Sequence, residues 1–219
     1  MTITNTTANG VSDLTTDTAQ LRSLRLAVII GSVRPGRFGP TVGRWVQEQV
    51  RRHGGFATEH VDLAAVTLRP ELSPTPTASD PDLERPDGMQ DLTRVLRWAD
   101  AYLIITPEYN GSYPAALKIM IDWYYHEWAG KPVAFVGYGA GLGGQHAIDH
   151  LREIFAQLDA HPINRGVTFP LSWDLFDEHG RLREPERFAA EAATMLDRLL
   201  WWTRALADAR SARADPMAA

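Results

Sequence analysis

The sequence predicts an α/β fold, a parallel β-sheet with helices on both faces, on three grounds. Five short strand-like runs recur along the chain, helical patterns separate them, and most of the runs are apolar throughout rather than alternating. Strands buried on both faces belong to parallel sheets, whose strands need right-handed crossovers. With 219 residues and 44% hydrophobic content the chain supports one domain with a full core and not two large ones.

Each element has its own justification. Residues 24–30 form a continuous apolar strand, followed by a glycine-rich loop and a helix from about Pro40 to His53 with Val42, Trp45, Val46 and Val50 on one face. Residues 56–63 alternate as a second strand. A Pro-rich connection, RPELSPTPTASDPDLERPDG, then leads to a helix near 89–99 and is too long and too rich in proline to be regular. Ala101 to Thr106 is a buried strand that Pro107 stops. Asn110-Gly111 supplies a turn able to take positive φ, and Pro114 suits the first turn of the next helix. A fourth strand follows at 132–138, a helix at about 144–158, a fifth strand near 164–169 and a final helix at about 184–209. That helix carries Phe188, Ala192, Leu196, Leu199, Leu200 and Leu206 at helical spacing, with Trp201 and Trp202 beside them.

Composition excludes several function classes. A net charge of −5 argues against a nucleic-acid partner, which calls for a concentrated basic face. The absence of cysteine removes disulfides, thiolate metal sites and cysteine-based redox chemistry, so any redox chemistry must come from a cofactor. Neither the histidines nor the carboxylates show metal-ligand spacing such as H-E-x-x-H, and there is no G-x-S-x-G elbow. No run approaches the length of a membrane span. Residues 1–22 are Thr and Asn rich, without a signal-peptide pattern, and read as a disordered tail; Asp13 and Asp17 count against a transit peptide. The expected location is the cytoplasm. Residues 23–210 read as the folded domain and 211–219 as a C-terminal tail.

Three loops at strand ends carry the chemistry. In the first, Gly31 to Pro40, backbone N–H groups and a helix N-terminus favour an anion; Ser32 can donate a hydrogen bond, and Arg34 and Arg37 can contact phosphate oxygens bidentately. One arginine about 4 Å from a phosphate charge is worth roughly 4 kcal/mol before desolvation at an effective dielectric of about 20. The alternative is a solvated loop with ordinary surface arginines. Gly31 and Gly36 have Walker A spacing, but Arg37-Phe38 stands where Lys and Ser/Thr are needed, so a nucleotide triphosphatase is disfavoured. The second loop, Pro107 to Tyr113, exposes backbone N–H groups near Asn110 and Gly111, while Tyr109 can stack or line a pocket. Glu108 and Tyr109 are otherwise ordinary turn residues, with Glu108 in an ion pair. The third loop, Gly137-Tyr138-Gly139-Ala140-Gly141-Leu142-Gly143-Gly144, contains a G-x-G-x-x-G match on the wrong strand for a dinucleotide fingerprint. Its glycines let backbone approach a flat ring closely, or leave a flexible loop with no ligand.

The segment PEYNGSYPAALKIMIDW, with the matching loops before and after it, resembles the signature of the NAD(P)H-dependent FMN reductase family, flavodoxin-like flavoproteins that include quinone and azo-dye reductases. The resemblance covers roughly residues 24–163. It implies a flavodoxin-like three-layer sandwich with strand order 2-1-3-4-5, which periodicity alone does not give. It also implies bound FMN, NADPH or NADH as electron donor, and a quinone or similar small molecule as acceptor. The cofactor-binding residues it implies are Ser32, Arg34, Arg37, Phe38, Pro107, Glu108, Tyr109, Asn110, Gly111, Gly137, Tyr138, Gly139 and Gly141, with no catalytic side chain because the flavin carries the chemistry. The family's commonest pattern has Ser and Asn where this chain has Arg37 and Gly39, which shifts phosphate binding toward guanidinium charge. A homodimer or homotetramer is expected, and the cluster Trp123, Tyr124, Tyr125, His126 and Trp128 stands open as interface, substrate wall or core. Two other functions fit the same loops: an electron-transfer or flavin-carrier protein without nicotinamide turnover, and a binding module that keeps the fold without flavin.

Overall fold

A computed structural model describes residues 23–212. The tail expected over 1–22, and residues 213–219 of the expected C-terminal tail, lie outside the described residues. The elements run β1 (Leu24–Ile30), α1 (Gly39–His53), β2 (Phe56–Asp62), α2 (Gln90–Trp98), β3 (Ala101–Pro107), α3 (Ala115–Asp122), β4 (Pro132–Gly139), α4 (Gln145–Gln157), β5 (His161–Pro170), α5 (Ser172–Leu175) and α6 (Pro185–Ala212). All pairings are parallel, in the order β2-β1-β3-β4-β5. Every strand therefore ends at the same edge, which collects the loops that follow β1, β3, β4 and β5.

The strands explain the three layers. Along β1, Ala27 and Ile29 face one core with α2, α3 and α4, while Leu26 and Val28 face the other with α1 and α6. Both sets are completely or almost completely buried, which is why these runs read as continuous apolar stretches. Helix α1 opens with Pro40 in its first turn and closes on Gly54, whose left-handed φ of 70° lets its N–H cap the Val50 carbonyl at 3.1 Å.

The structure departs from the sequence reading in two places and decides a third that the sequence left open. Strand β5 starts at His161 rather than near 164, because the His161 N–H bonds the Lys131 carbonyl and His161 and Pro162 pair with Pro132 and Val133 of β4 ahead of a shift in register. On α6, Met195 and Thr203 share the buried stripe with Phe188, Ala192, Leu196 and Leu199, whereas Trp201 is 54% exposed. Two residues past Leu199, Trp201 is turned about 200° round the helix, away from the sheet. The place left open is the aromatic cluster after α3. Trp123, Tyr124 and Trp128 are buried, with Trp128 packed edge-on against Tyr102 and Phe155. The Pro-rich connection closes over them: Trp123 Nε1 donates to the Arg69 carbonyl at 2.6 Å, and His126 Nε2 lies 3.2 Å from the Ala78 carbonyl. These large rings serve the core.

Candidate active site

The β1 loop leaves the sheet in line. Gly31 N–H still bonds the Ile105 carbonyl of β3, which carries Ser32 to a fully buried position at the strand end. Ser32 Oγ lies 3.0 Å from the Tyr109 hydroxyl, so the first and second loops are joined side chain to side chain. A tight turn follows, with Gly36 at φ 69° and the Arg37 N–H on the Arg34 carbonyl at 3.1 Å. Arg34 is exposed and its guanidinium has no partner among the described residues. Arg37 pairs with Asp62 at the end of β2, while its Nε is buried without a hydrogen-bond partner. Phe38 packs edge-on against Phe176 at 5.2 Å and lies 6.1 Å from the Tyr138 ring.

Pro107 is the last residue of β3 and pairs in register with Tyr138. The next residues form a two-residue hairpin: Tyr109 and Ser112 exchange backbone hydrogen bonds of 2.7 and 3.0 Å, and Asn110 and Gly111 take φ of 52° and 77°. Asn-Gly is the pair this turn demands, which is why its geometry was legible from sequence. Helix α4 grips the hairpin from outside. Glu108 bonds His146 through the ring Nδ1 at 3.0 Å and the backbone N–H at 3.2 Å, and Ser112 Oγ lies 3.0 Å from His150 Nδ1 one turn on.

The hydrogen bond from its ring to Glu108 raises the pKa of His146 above its ordinary 6.5, with the carboxylate charge next in weight. Raised in the folded state, this group contributes its full stability below pH 6.5 and loses it as pH rises through the raised value. Urea unfolding of wild type and His146→Gln should therefore differ more at about pH 5.5 than at about pH 8.5. An equal difference at both would remove the pair's charge from the account.

The β4 loop divides its glycines between two tasks. A Cβ on Gly137 would stand 2.7 Å from the Gly143 carbonyl oxygen, and Gly144 lies as close to the Tyr138 N–H, so these residues pack the loop on its own strand. Gly139 and Ala140 face the cleft, and Gly141 stands in open space. Tyr138 is 5% exposed; burial pushes its phenol up to about 12, and its hydroxyl has no hydrogen-bond partner among the described residues. Ser32 opposes that rise, but its hydroxyl is engaged with Tyr109.

These loops enclose a cleft of about 380 Å³. Of the residues expected there, Ser32, Arg34, Arg37, Phe38, Pro107, Glu108, Tyr109, Tyr138 and Gly139 line it. Asn110, Gly111, Gly137 and Gly141 do not, because the first pair forms the hairpin tip, Gly137 is packed under Gly143, and Gly141 points to solvent. A fourth segment also lines it, the turn after β5 with Ser172 and Trp173, together with Pro35, Gly36 and Ala140. The signal for that turn was the parallel sheet itself, since a fifth strand must end at the same edge as the others.

Sheet order, the covered faces and a cleft at the carboxyl edge define the flavodoxin-like class of α/β proteins. Comparison with known proteins agrees. The chain is 35% identical over 148 residues to an NAD(P)H-dependent FMN reductase of Schizosaccharomyces pombe, a match over 67% of this chain and 74% of that one. It is 30% identical over 190 residues to an NAD(P)H-dependent FMN reductase of Pseudomonas aeruginosa, over 84% and 97%. A flavoenzyme NAD(P)H:(acceptor) oxidoreductase from Paracoccus denitrificans shares the fold, with TM-score 0.63, 23% identity and 83% and 97% coverage. The model of the NADPH-dependent FMN reductase family matches residues 24–174, and the chain belongs to that family.

Proposed function

We propose that the cleft holds FMN, with its phosphate against the turn of residues 32–38 and its ring along Pro107 to Tyr109 and Gly139 to Ala140. The enzyme passes a hydride from NADPH or NADH through that cofactor to a quinone or similar small acceptor. Family membership supports this, as does similarity to a quinone reductase of Escherichia coli, 32% identical over 151 residues. One observation carries the site assignment: two residues that line the cleft, Tyr138 and Arg37, each hold a buried polar atom, the hydroxyl and Nε, without a partner among the described residues. A buried unpaired donor costs about 1–3 kcal/mol, which an oxygen-rich, anionic guest removes. Bound FMN supplies the hydride-accepting chemistry that no side chain of this cysteine-free chain offers. Ser32, Arg34 and Arg37 hold the phosphate, Phe38 and Tyr138 wall the cleft, and Tyr109 fixes Ser32. Glu108 anchors its loop to α4, and Asn110, Gly111, Gly137 and Gly141 set loop shape.

Titrating the protein with FMN should give a saturable complex that oxidises NADPH or NADH when quinone is added; no binding would defeat the proposal. Tyr138→Phe should weaken FMN about tenfold without lowering the unfolding midpoint of the FMN-free protein, since it removes an unsatisfied buried hydroxyl. A lowered midpoint would show that the hydroxyl already has a structural partner. Among the described residues no helix is long and apolar enough to cross a membrane. A cytoplasmic homodimer or homotetramer fits this reading, and sedimentation distinguishes the two sizes.

A further inference from the structure

The turn after β5 gives the cleft an aromatic lip that none of the three flavin loops accounts for. Trp173 lines the cleft and is 57% exposed, while its neighbour Ser172 is buried. Its indole makes no ring, cation–π or hydrogen-bonding contact among the described residues.

The turn that carries it is nevertheless held firmly. Leu171 has φ 46° and ψ 51°, a left-handed conformation that a leucine rarely adopts, and its N–H bonds the Ala140 carbonyl of the β4 loop at 3.3 Å. The Asp174 N–H returns to the Leu171 carbonyl at 2.8 Å, and the Phe176 N–H to the Ser172 carbonyl at 3.2 Å. Phe176 is buried between Phe38 and Phe169, each at 5.2 Å, which ties the turn to both the β1 loop and the sheet. Backbone strain held in place by this much surrounding structure, next to a cleft, points to a function for what it presents.

We propose that Trp173 is a stacking platform for the planar aromatic electron acceptor, and so a residue that favours flat quinones over compact, non-planar acceptors. This rests on the FMN reading above. Among the phosphate contacts assigned there Ser32 is fully buried, whereas Trp173, lining the same cleft, is more than half exposed and so open to a molecule that enters and leaves on every turnover. An open indole face with no partner of its own matches a flat, electron-poor ring.

The test compares 1,4-naphthoquinone with ferricyanide in wild type, Trp173→Ala and Trp173→Phe, after FMN titration of each. In Trp173→Ala, kcat/KM for naphthoquinone should fall about tenfold, through KM, and about fivefold more than for ferricyanide; Trp173→Phe should recover most of the loss. Equal losses with both acceptors, or no change in KM, overturn the proposal. So does a loss of FMN affinity as large as the quinone effect, which would assign the indole to the cofactor. A wild type that binds no FMN fails earlier, before any acceptor is added, and takes both readings down.

Discussion

Replacing Arg34 and Arg37 together by alanine should weaken FMN binding by about a hundredfold or more. A hydrogen bond to a charged group contributes about 1.5–3 kcal/mol, and each 1.4 kcal/mol is a factor of about ten, so two guanidinium contacts to one phosphate lose at least two decades. The two arginines are not equivalent. Arg34 is exposed and unpartnered among the described residues, so Arg34→Ala reports the contact to phosphate with little structural cost. Arg37 also pairs with Asp62, and its removal leaves that carboxylate without its cation, accepting from the Ala64 N–H at the end of β2. Flavin fluorescence titration of the single and double variants, beside their unfolding midpoints, separates the two contributions. Unchanged affinity in the double variant would refute the assignment of this loop to phosphate.

Gly143→Ala should destabilise the protein by about 3 kcal/mol or more and abolish FMN retention with it. A Cβ there would lie 2.5 Å from the Pro170 backbone nitrogen and 2.6 Å from the Phe169 carbonyl carbon, and neither can swing aside as a side chain end would. The residue also sits at φ 65°, which costs a side-chain-bearing residue about 1–2 kcal/mol by itself. Backbone overlap adds the larger share, because relief means parting the β4 loop from the end of β5. Gly141→Ala, two residues away with nothing within 4 Å of its Cβ, should stay within about 0.5 kcal/mol of wild type. Thermal or urea unfolding checks both. Comparable losses in the two variants would mean that the loop is limited by chain entropy and not by close packing.

The contrast within that loop shows why glycine content was a poor guide to which residues line the cleft. Gly137, Gly139, Gly141, Gly143 and Gly144 look alike in sequence, and only the fold separates the one at the cleft from those that pack backbone on backbone. The Asn110-Gly111 hairpin was fully legible, because its requirement for positive φ at two successive residues is local. The rings after α3 were not, since interface and core demand the same residues, and only the Pro-rich connection crossing over Trp123 decides between them.

By itself the sequence determined the α/β class, the five strands, five of the six helices and three of the four segments that line the candidate site, since periodicity and turn chemistry act between residues a few positions apart. Tertiary structure decided what depends on residues far apart in the chain: Arg37 on Asp62, Glu108 on His146, Ser32 on Tyr109, and Trp173 at the rim. Those meetings follow from strand order and register, which set the sheet edge where the loops gather, and neither is written in the periodicity of any single element.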